Sequence, residues 1–402
     1  MQKKLIALAI AGIVSAPAFA QSNVTVYGRA DMGYMNTTTG TNGGVGTVNS
    51  RSSFGSNNGS SRLGFRGAED LGNGLKAIFE FEFGLGIDST GNTLASGVTA
   101  GTTTLTGTTA TFNNRHSYVG LTGNFGTVVA GRLDGVRYNE MVKYDAFAGN
   151  TVGNFNQMQL ALDRADNAVA YISPKWNGFQ FTGAYSSSVI GNEVGTAGTV
   201  SGNENNARLN TLMLTYENGP FRASVDYETA RTQKFNAAGT SNIFGTGVDG
   251  DQRVMLIGAS YDFGFMKLAA VADSNEITNR AATSGNAATA GLTNTKITDY
   301  RDFMLSASVP FAGKWVGKAT FGKVDNKITV LQTGVANDAN GSNDATKFGI
   351  GFTYAMSKRT QAYANYGKIE NSGNAAFQIN SAGNANGTNG VSGFDIGIGH
   401  NF

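Results

Sequence analysis

Apolar and polar residues alternate along many segments of the chain. In the clearest segment, residues 75–83, every odd-numbered position is apolar, whereas Lys76, Glu80 and Glu82 lie on the opposite face. Alternation with a period of two predicts a strand that has one apolar and one polar face. Similar segments occur at residues 179–181, 221–227, 348–354 and 394–402.

Short turns and long polar loops separate these segments in strict alternation. We predict seven short turns, at residues 70–73, 123–126, 174–178, 217–220, 262–264, 310–314 and 356–359. Eight long loops rich in Gly, Asn, Thr and Ser are predicted near residues 36–60, 89–113, 133–165, 189–206, 233–250, 277–297, 329–345 and 370–390. Together they separate sixteen strands.

An even number of strands with all tight turns at one end predicts a closed, antiparallel, up-and-down transmembrane β-barrel, with short periplasmic turns and long extracellular loops. Closure satisfies every backbone polar group in lipid, and sixteen strands leave an aqueous lumen. The face with Lys76, Glu80 and Glu82 then lines the inside. A soluble β-sandwich is the alternative, with the apolar faces between two sheets.

The first twenty residues have the pattern of a cleaved signal peptide. Lys3 and Lys4 precede the apolar stretch from Leu5 to Val14, and Ala18-Phe19-Ala20 fits a cleavage site. We therefore expect a signal peptide at residues 1–20 and one barrel domain at residues 21–402. Removal of the signal peptide takes away two lysines and no acid, and leaves 28 basic and 28 acidic residues. A mature net charge of zero argues against nucleic-acid binding, which calls for a basic patch.

Composition excludes several other classes of protein. The chain has 56 glycines, 14% charged residues and no cysteine, so it has no disulfides, and no thiol can act as nucleophile or metal ligand. Beyond residue 20 it lacks the run of about 20 apolar residues that a transmembrane helix needs. No histidine has metalloprotease spacing and no nucleophile elbow occurs. We therefore expect no enzyme activity, no cofactor and no metal.

Several motifs resemble one known family. Residues 61–77 read SRLGFRGAEDLGNGLKA, and shorter matches are VTVYG at 24–28, SYVGL at 117–121, NAVAYISP at 167–174 and GHNF at 399–402. This set closely resembles the general porins of Gram-negative outer membranes, in the branch common among beta-proteobacteria and neisseriae. The resemblance implies a homotrimer in the outer membrane that passively conducts ions and small hydrophilic solutes. It also implies contact with outer-membrane lipid and lipopolysaccharide and insertion by the barrel assembly machinery.

The resemblance also implies a constriction at the third long loop, residues 133–165, which in this family folds into the lumen. Arg62, Arg115 and Arg164 match the family positions of a basic ladder on the facing wall. Strand phase supports an inward Arg62, and Arg164 shares parity with Ala168 and Ala170. Arg115 shares parity with outward positions, so only a bulge or a strand end would turn it inward.

Other charged residues are expected near the same constriction. The further basic candidates are Arg29, Arg66, Lys76 and Arg132, and the acidic candidates are Asp31, Glu80 and Glu82 on the wall and Asp134, Glu140 and Asp145 on the loop. Opposed charges across a narrow gap make a transverse field that favours dipolar solutes. The excess of bases on the wall predicts a mild anion preference. Alternatives are a substrate-selective outer-membrane channel and, from a different class, a secreted β-rich adhesin.

Aromatic residues suggest how the barrel is inserted. In the resembled family the terminal aromatic, here Phe402, is the signal read by the assembly machinery. Tyrosines near predicted strand ends fit interfacial girdles; they are Tyr34, Tyr118, Tyr171, Tyr185, Tyr216, Tyr227, Tyr261 and Tyr354. On the first strand, the small outward residues Gly28 and Ala30 are compatible with close packing in a trimer.

Overall fold

The computed structural model describes residues 23–38, 40–42, 46–48, 51–58, 60–87, 113–148, 151–155, 158–159, 162–189, 208–232, 250–279, 296–327, 344–372, 377, 379 and 391–402. The predicted signal peptide and the greater part of most long loops lie outside these residues. Within the described ranges, no helix has the length and apolar character needed to cross a membrane.

The described chain consists almost entirely of strands. They are β1 (Asn23–Thr37), β2 (Gly40–Asn42), β3 (Gly46–Val48), β4 (Arg51–Gly55), β5 (Arg62–Gly72), β6 (Leu75–Gly84), β7 (Asn113–Gly123), β8 (Gly126–Asp134), β9 (Arg164–Ile172), β10 (Phe179–Ser186), β11 (Leu209–Asn218), β12 (Phe221–Thr232), β13 (Gly250–Asp262), β14 (Lys267–Asn279), β15 (Lys296–Phe311), β16 (Trp315–Lys327), β17 (Ala345–Ala355), β18 (Thr360–Asn371) and β19 (Ser392–Asn401). One helix, α1 (Val136–Tyr144), follows β8.

Antiparallel pairing closes these strands into a barrel. Each long strand pairs with its neighbour in sequence, and β19 returns to β1, from the pair Arg29 and Asn401 to the pair Thr37 and Gly393. On its other side β1 pairs first with β5 and then with β4. Because β4 and β5 together fill one position beside β1, the described residues form a barrel of sixteen strand positions. The predicted fold is confirmed.

The predicted loop at residues 36–60 is wrong in part. Strand β4 lies inside this range and extends the barrel wall beside residues 33–37 of β1. The small hairpin of β2 and β3 also lies inside it, as a separate two-stranded sheet. Ser and Thr are frequent in these segments. Because the segments are short and polar, the sequence pattern does not distinguish these strands from a loop.

The apolar faces of the strands point away from the lumen, as expected. Phe81, Ile257, Leu305 and Phe352 are exposed on the outside of the isolated barrel, whereas inward neighbours such as Glu82 are buried. An exposed apolar band around a closed barrel is typical of a lipid-facing surface. The alternation of β6 and β17 predicts that their apolar faces point outward and their polar faces inward, and this prediction is confirmed.

The barrel closes at its C-terminus through Phe402. Its backbone exchanges two hydrogen bonds with Gly28, at 3.0 and 3.1 Å. Any side chain at Gly28 would collide with the Phe402 ring, so only glycine fits beneath it. The ring therefore covers one of the two small outward positions of β1, and Ala30 stays exposed.

Candidate functional site

A bulge in β7 turns two consecutive residues into the lumen. Glu82 of β6 is opposite His116, and Phe83 is opposite Asn114, so that Arg115 is an extra residue in the ladder. A bulge of this kind redirects the side chains around it. The sequence allows an inward Arg115 only at a bulge or a strand end, and the structure has such a bulge. Arg115 and His116 both contact carboxylates inside the barrel.

Glu82 joins two of the predicted ladder arginines. Its carboxylate lies 3.2 Å from Nε of Arg62 and 2.5 Å from Nε of Arg115. Charge-assisted hydrogen bonds of this kind orient guanidinium groups. The structure therefore holds Arg62 and Arg115 side by side on the wall formed by β5, β6 and β7.

His116 connects this wall to Asp134, which was expected on the third long loop but is the last residue of β8. Its Nε2 lies 3.1 Å from Oε1 of Glu80, and its Nδ1 lies 3.2 Å from Oδ2 of Asp134. The second oxygen of Asp134 is 3.2 Å from Nε of Arg164. The imidazole ring therefore links Glu80 to Asp134, and Asp134 in turn contacts Arg164.

Two tyrosines complete the surroundings of Glu80. The hydroxyl of Tyr27 donates to Glu80 at 2.5 Å, and that of Tyr118 donates at 2.9 Å. The prediction that Tyr118 belongs to an interfacial girdle is wrong, since its hydroxyl lies inside the barrel. The guanidinium of Arg66 stacks over the Tyr27 ring, 5.1 Å from its centre.

The remaining basic candidates have different surroundings. Arg29 is paired with Asp31 at 3.1 Å, and Asp31 also accepts hydrogen bonds from the Asn58 amide and the Tyr363 hydroxyl. Arg132 pairs with Asp166 and donates to the Arg115 carbonyl at 3.1 Å. These two arginines border the arginine–glutamate wall.

Lys76 does not join this cluster. It lies two residues from the tight turn between β5 and β6, where it is exposed. Six residues along a strand separate it from Glu82, which is roughly 20 Å. Its predicted place at the constriction is therefore wrong.

A second irregularity concerns Arg164. Between the pairs Gly131–Ala168 and Leu133–Ala165, β8 advances by two residues whereas β9 advances by three, which is a bulge in β9. Asn167, in this bulge, has a positive φ of 49°. The parity that linked Arg164 to Ala168 thus crosses a bulge and does not hold. The contact with Asp134, rather than strand phase, positions Arg164.

The described residues between β8 and β9 are 135–148, 151–155, 158–159 and 162–163, which we call the third loop. They reach across the barrel and contact the wall on the opposite side. Arg137 of α1 is fully buried and pairs with Glu228 of β12, at 3.2 Å, and with Asp273 of β14. The hydroxyl of Tyr144 is 2.8 Å from that of Ser224. A buried ion pair with two carboxylates ties the loop to strands β12 and β14.

The two acidic candidates on the loop are turned towards this far wall. Glu140 accepts hydrogen bonds from Arg222 at 2.8 and 2.6 Å, and from Lys143 at 3.0 Å. Burial alone would raise the pKa of Glu140, but the hydrogen bond from Arg222 and the charge of Lys143 hold the pKa below its ordinary value. Asp145 accepts hydrogen bonds from the Phe147 and Phe155 amides. The prediction that these two carboxylates face the arginines of β5, β6 and β7 is therefore wrong.

Small residues on the far wall make room for the loop. A side chain at Gly258 would collide with the Tyr144 ring, and one at Gly322 would collide with the Phe155 ring. One of two buried apolar clusters in the described residues lies at this contact and includes Met141, Phe155 and Leu256. Dispersion contacts and burial of apolar area therefore add to the ion pair.

Sequence reasoning missed several residues that the structure brings to the site. They are His116, Asp166, Arg137, Arg222 and Lys143. Only the charge of Arg137 and Lys143 within a loop rich in apolar residues gave a signal. In the described part of the chain, no group of three or more His, Asp or Glu residues is arranged to hold a metal ion.

Comparisons with known proteins give a consistent result. A family model described as Gram-negative porin matches residues 6–374. The chain is 30% identical to outer membrane porin protein 32 of Delftia acidovorans, over 100% of both chains. It is 29% identical to an outer membrane porin protein of Bordetella pertussis, over 90% of this chain and 93% of that one. An anion-selective porin from Comamonas acidovorans has a similar structure, with a TM-score of 0.70 and 26% identity, over 95% of this chain and 100% of that one.

Proposed function

Because the chain belongs to the Gram-negative porin family, we propose that its lumen conducts anions in preference to cations. The protein is an outer-membrane porin, a water-filled channel through which ions and small hydrophilic solutes diffuse passively. Its membership of this family argues against the secreted adhesin. The proposal includes no catalytic step, cofactor or source of energy.

The single observation that carries the anion preference is the unequal exposure of paired charges. Glu82 is 6% exposed, whereas its partners Arg62 and Arg115 are 30% and 21% exposed. On the third loop, Glu140 is 1% exposed and Lys143 is 51% exposed. In these three pairs, water and ions in the lumen therefore meet mainly the cationic partner.

Two further observations support the proposal. Asp134 is more exposed than these acids, but His116 and Arg164 both contact it. The relative from Comamonas acidovorans, which is 26% identical, is described as anion-selective. Counterions screen fixed charges over about 8–10 Å at physiological salt, so the preference is expected to be mild.

Replacing Arg62 and Arg164 with alanine tests this proposal. In a salt gradient across a planar bilayer, the reversal potential of the double variant should shift towards that of a cation-preferring channel, and the shift should shrink as ionic strength rises. The matched control replaces Arg253 and Arg301, which are exposed on the outer surface of β13 and β15, and should leave selectivity unchanged. If the lumen variant had the parental reversal potential at low salt, the proposal would fail.

We also propose that the protein is a homotrimer that contacts lipopolysaccharide and is inserted by the barrel assembly machinery. The family supports this assembly, and Ala30 and the Phe402 ring are exposed apolar groups where β1 meets β19. Cross-linking in mild detergent should give a threefold species, and conductance should rise in steps of three. A monomeric species with single steps would contradict the trimer.

A further inference from the structure

The His116 ring is held between two carboxylates. Nε2 faces Glu80 at 3.1 Å and Nδ1 faces Asp134 at 3.2 Å. An ionised carboxylate only accepts hydrogen bonds, so each ring nitrogen must carry a proton to make both contacts. The geometry is therefore that of an imidazolium, with one N–H donated to each acid.

Loss of this proton changes the charge that the lumen presents. A neutral ring has one N–H, so one nitrogen lone pair would face a carboxylate oxygen, which is repulsive. The other partners of Glu80 are the neutral hydroxyls of Tyr27 and Tyr118. Arg66 lies directly opposite Glu80 in the ladder, but its guanidinium lies over the Tyr27 ring and makes no ion pair with Glu80 among the described contacts. Without the imidazolium, Glu80 would therefore lose its ion-pair partner.

We propose that His116 is a specificity-determining residue whose positive charge offsets Glu80 and Asp134, so that the anion preference of the channel weakens as pH rises. This inference rests on the proposed function. It identifies the His116 imidazole as the adjustable charge in a cluster otherwise made of arginines, acids and tyrosines.

The groups that face the ring determine the sign and size of the effect. From β6 they are Glu80 and Glu82, and from β8 Asp134. Arg115 lies beside the ring on β7, and Arg164 of β9 contacts the far oxygen of Asp134. Arginines keep their charge at any working pH. The imidazole is therefore the member of this cluster that titrates between the carboxylates and the tyrosines.

The test is the reversal potential in a low-salt KCl gradient, measured from pH 5 to pH 9.5. Ordinary carboxylates titrate near pH 4 and tyrosines near pH 10. Variants of His116 separate the imidazole from other buried ionisable groups inside the barrel, such as Asp226 and Lys347, because the variants leave those groups in place. The anion-to-cation permeability ratio of the parent should fall about sixfold with rising pH, because one charge about 8 Å from a permeating ion in water changes the partition of an anion and of a cation about 2.4-fold each, in opposite directions. His116→Gln should give the lower ratio throughout, and His116→Arg should give the higher ratio throughout.

The chain provides a matched control, since it has two histidines. His400 is exposed and contacts the Thr360 hydroxyl at 2.9 Å, beside the tight turn that precedes β18, so His400→Gln should keep the parental pH profile. If the Gln variant of His116 does not fold, the flat profile of the Arg variant still decides the question. A parental ratio that does not change with pH, or a His116→Arg variant that keeps the slope, would overturn the inference while the channel itself remains anion-preferring. A channel without anion preference at any pH would overturn both proposals.

Discussion

Arg137 anchors the third loop to the far wall, and replacing it with methionine should loosen the loop while the barrel stays intact. Methionine keeps the length and apolar contacts of the side chain but removes the charge. Glu228 and Asp273 would then be buried without their cation. None of the strand-to-strand hydrogen bonds of the barrel involves Arg137, which lies in α1.

The magnitude follows from the burial of the three groups. Removing one partner from a buried ion pair costs about 3–5 kcal/mol. If this cost falls on the docked loop, the ratio of released to docked loop rises about 10²- to 10⁴-fold. Other contacts remain, among them the pair of Glu140 with Arg222 and the hydrogen bond from Thr320 to the Gly153 carbonyl at 2.7 Å. The docked state should therefore persist, with frequent brief openings.

Single-channel recording is the assay. Arg137→Met should show higher open-channel noise and excursions to larger conductance at an unchanged sign of selectivity. The control is Lys143→Met on the same helix, because an exposed ion pair contributes only about 0–1 kcal/mol. Adding Glu228→Gln and Asp273→Asn to Arg137→Met should quieten the channel again. A quiet Arg137→Met channel, or one that the added changes leave equally noisy, would refute the reasoning.

The remaining predictions concern assembly and membrane contact. Deletion of Phe402 should abolish outer-membrane insertion while export continues, as measured by cell fractionation, and normal surface levels of the truncated protein would contradict this role. Phe81→Arg should lower the free energy of unfolding in lipid by about 2–4 kcal/mol because it places a charge in the bilayer, whereas Glu80→Gln on the aqueous side should cost much less; equal losses in urea titrations would be incompatible with the lipid-facing assignment. The mature protein should begin at Gln21, and a different N-terminus by mass spectrometry would show that the signal peptide is misassigned.

Alternation along the strands made the barrel predictable. In β6 the odd positions face out and Glu80 and Glu82 face in, because successive side chains of a strand point to opposite faces. Turn chemistry added the strand boundaries: Asn73 and Gly74, both at positive φ, form the tight turn between β5 and β6 that their residue types favour. Such signals are local, and a single sequence is sufficient to detect them.

The candidate site depends on features that are not local. The bulge at Arg115 is decided by the register between β6 and β7, and nothing in residues 113–123 distinguishes a bulged strand from a regular one. Since one extra residue reverses the parity of all later positions in the strand, Arg115 could not be assigned to a face and His116 was not recognised as a lumen residue. The partners of Arg137 lie 91 and 136 residues away, beyond any sequence pattern.

The same distinction explains why counting charges is a poor guide to the lumen. The predicted mature chain, residues 21–402, has equal numbers of acids and bases. From the sequence, the loop acids Glu140 and Asp145 are expected to face the arginines across the gap. Each of these carboxylates is instead used to fold the third loop, one against Arg222 and one against backbone amides. Glu140 is desolvated and paired with a cation, so its field at the lumen is largely offset by Arg222 beside it. The proposed anion preference therefore depends on which charges the water meets: Glu82 and Glu140 are buried in their ion pairs, whereas Arg62, Arg115 and Lys143, which have longer side chains, are more exposed.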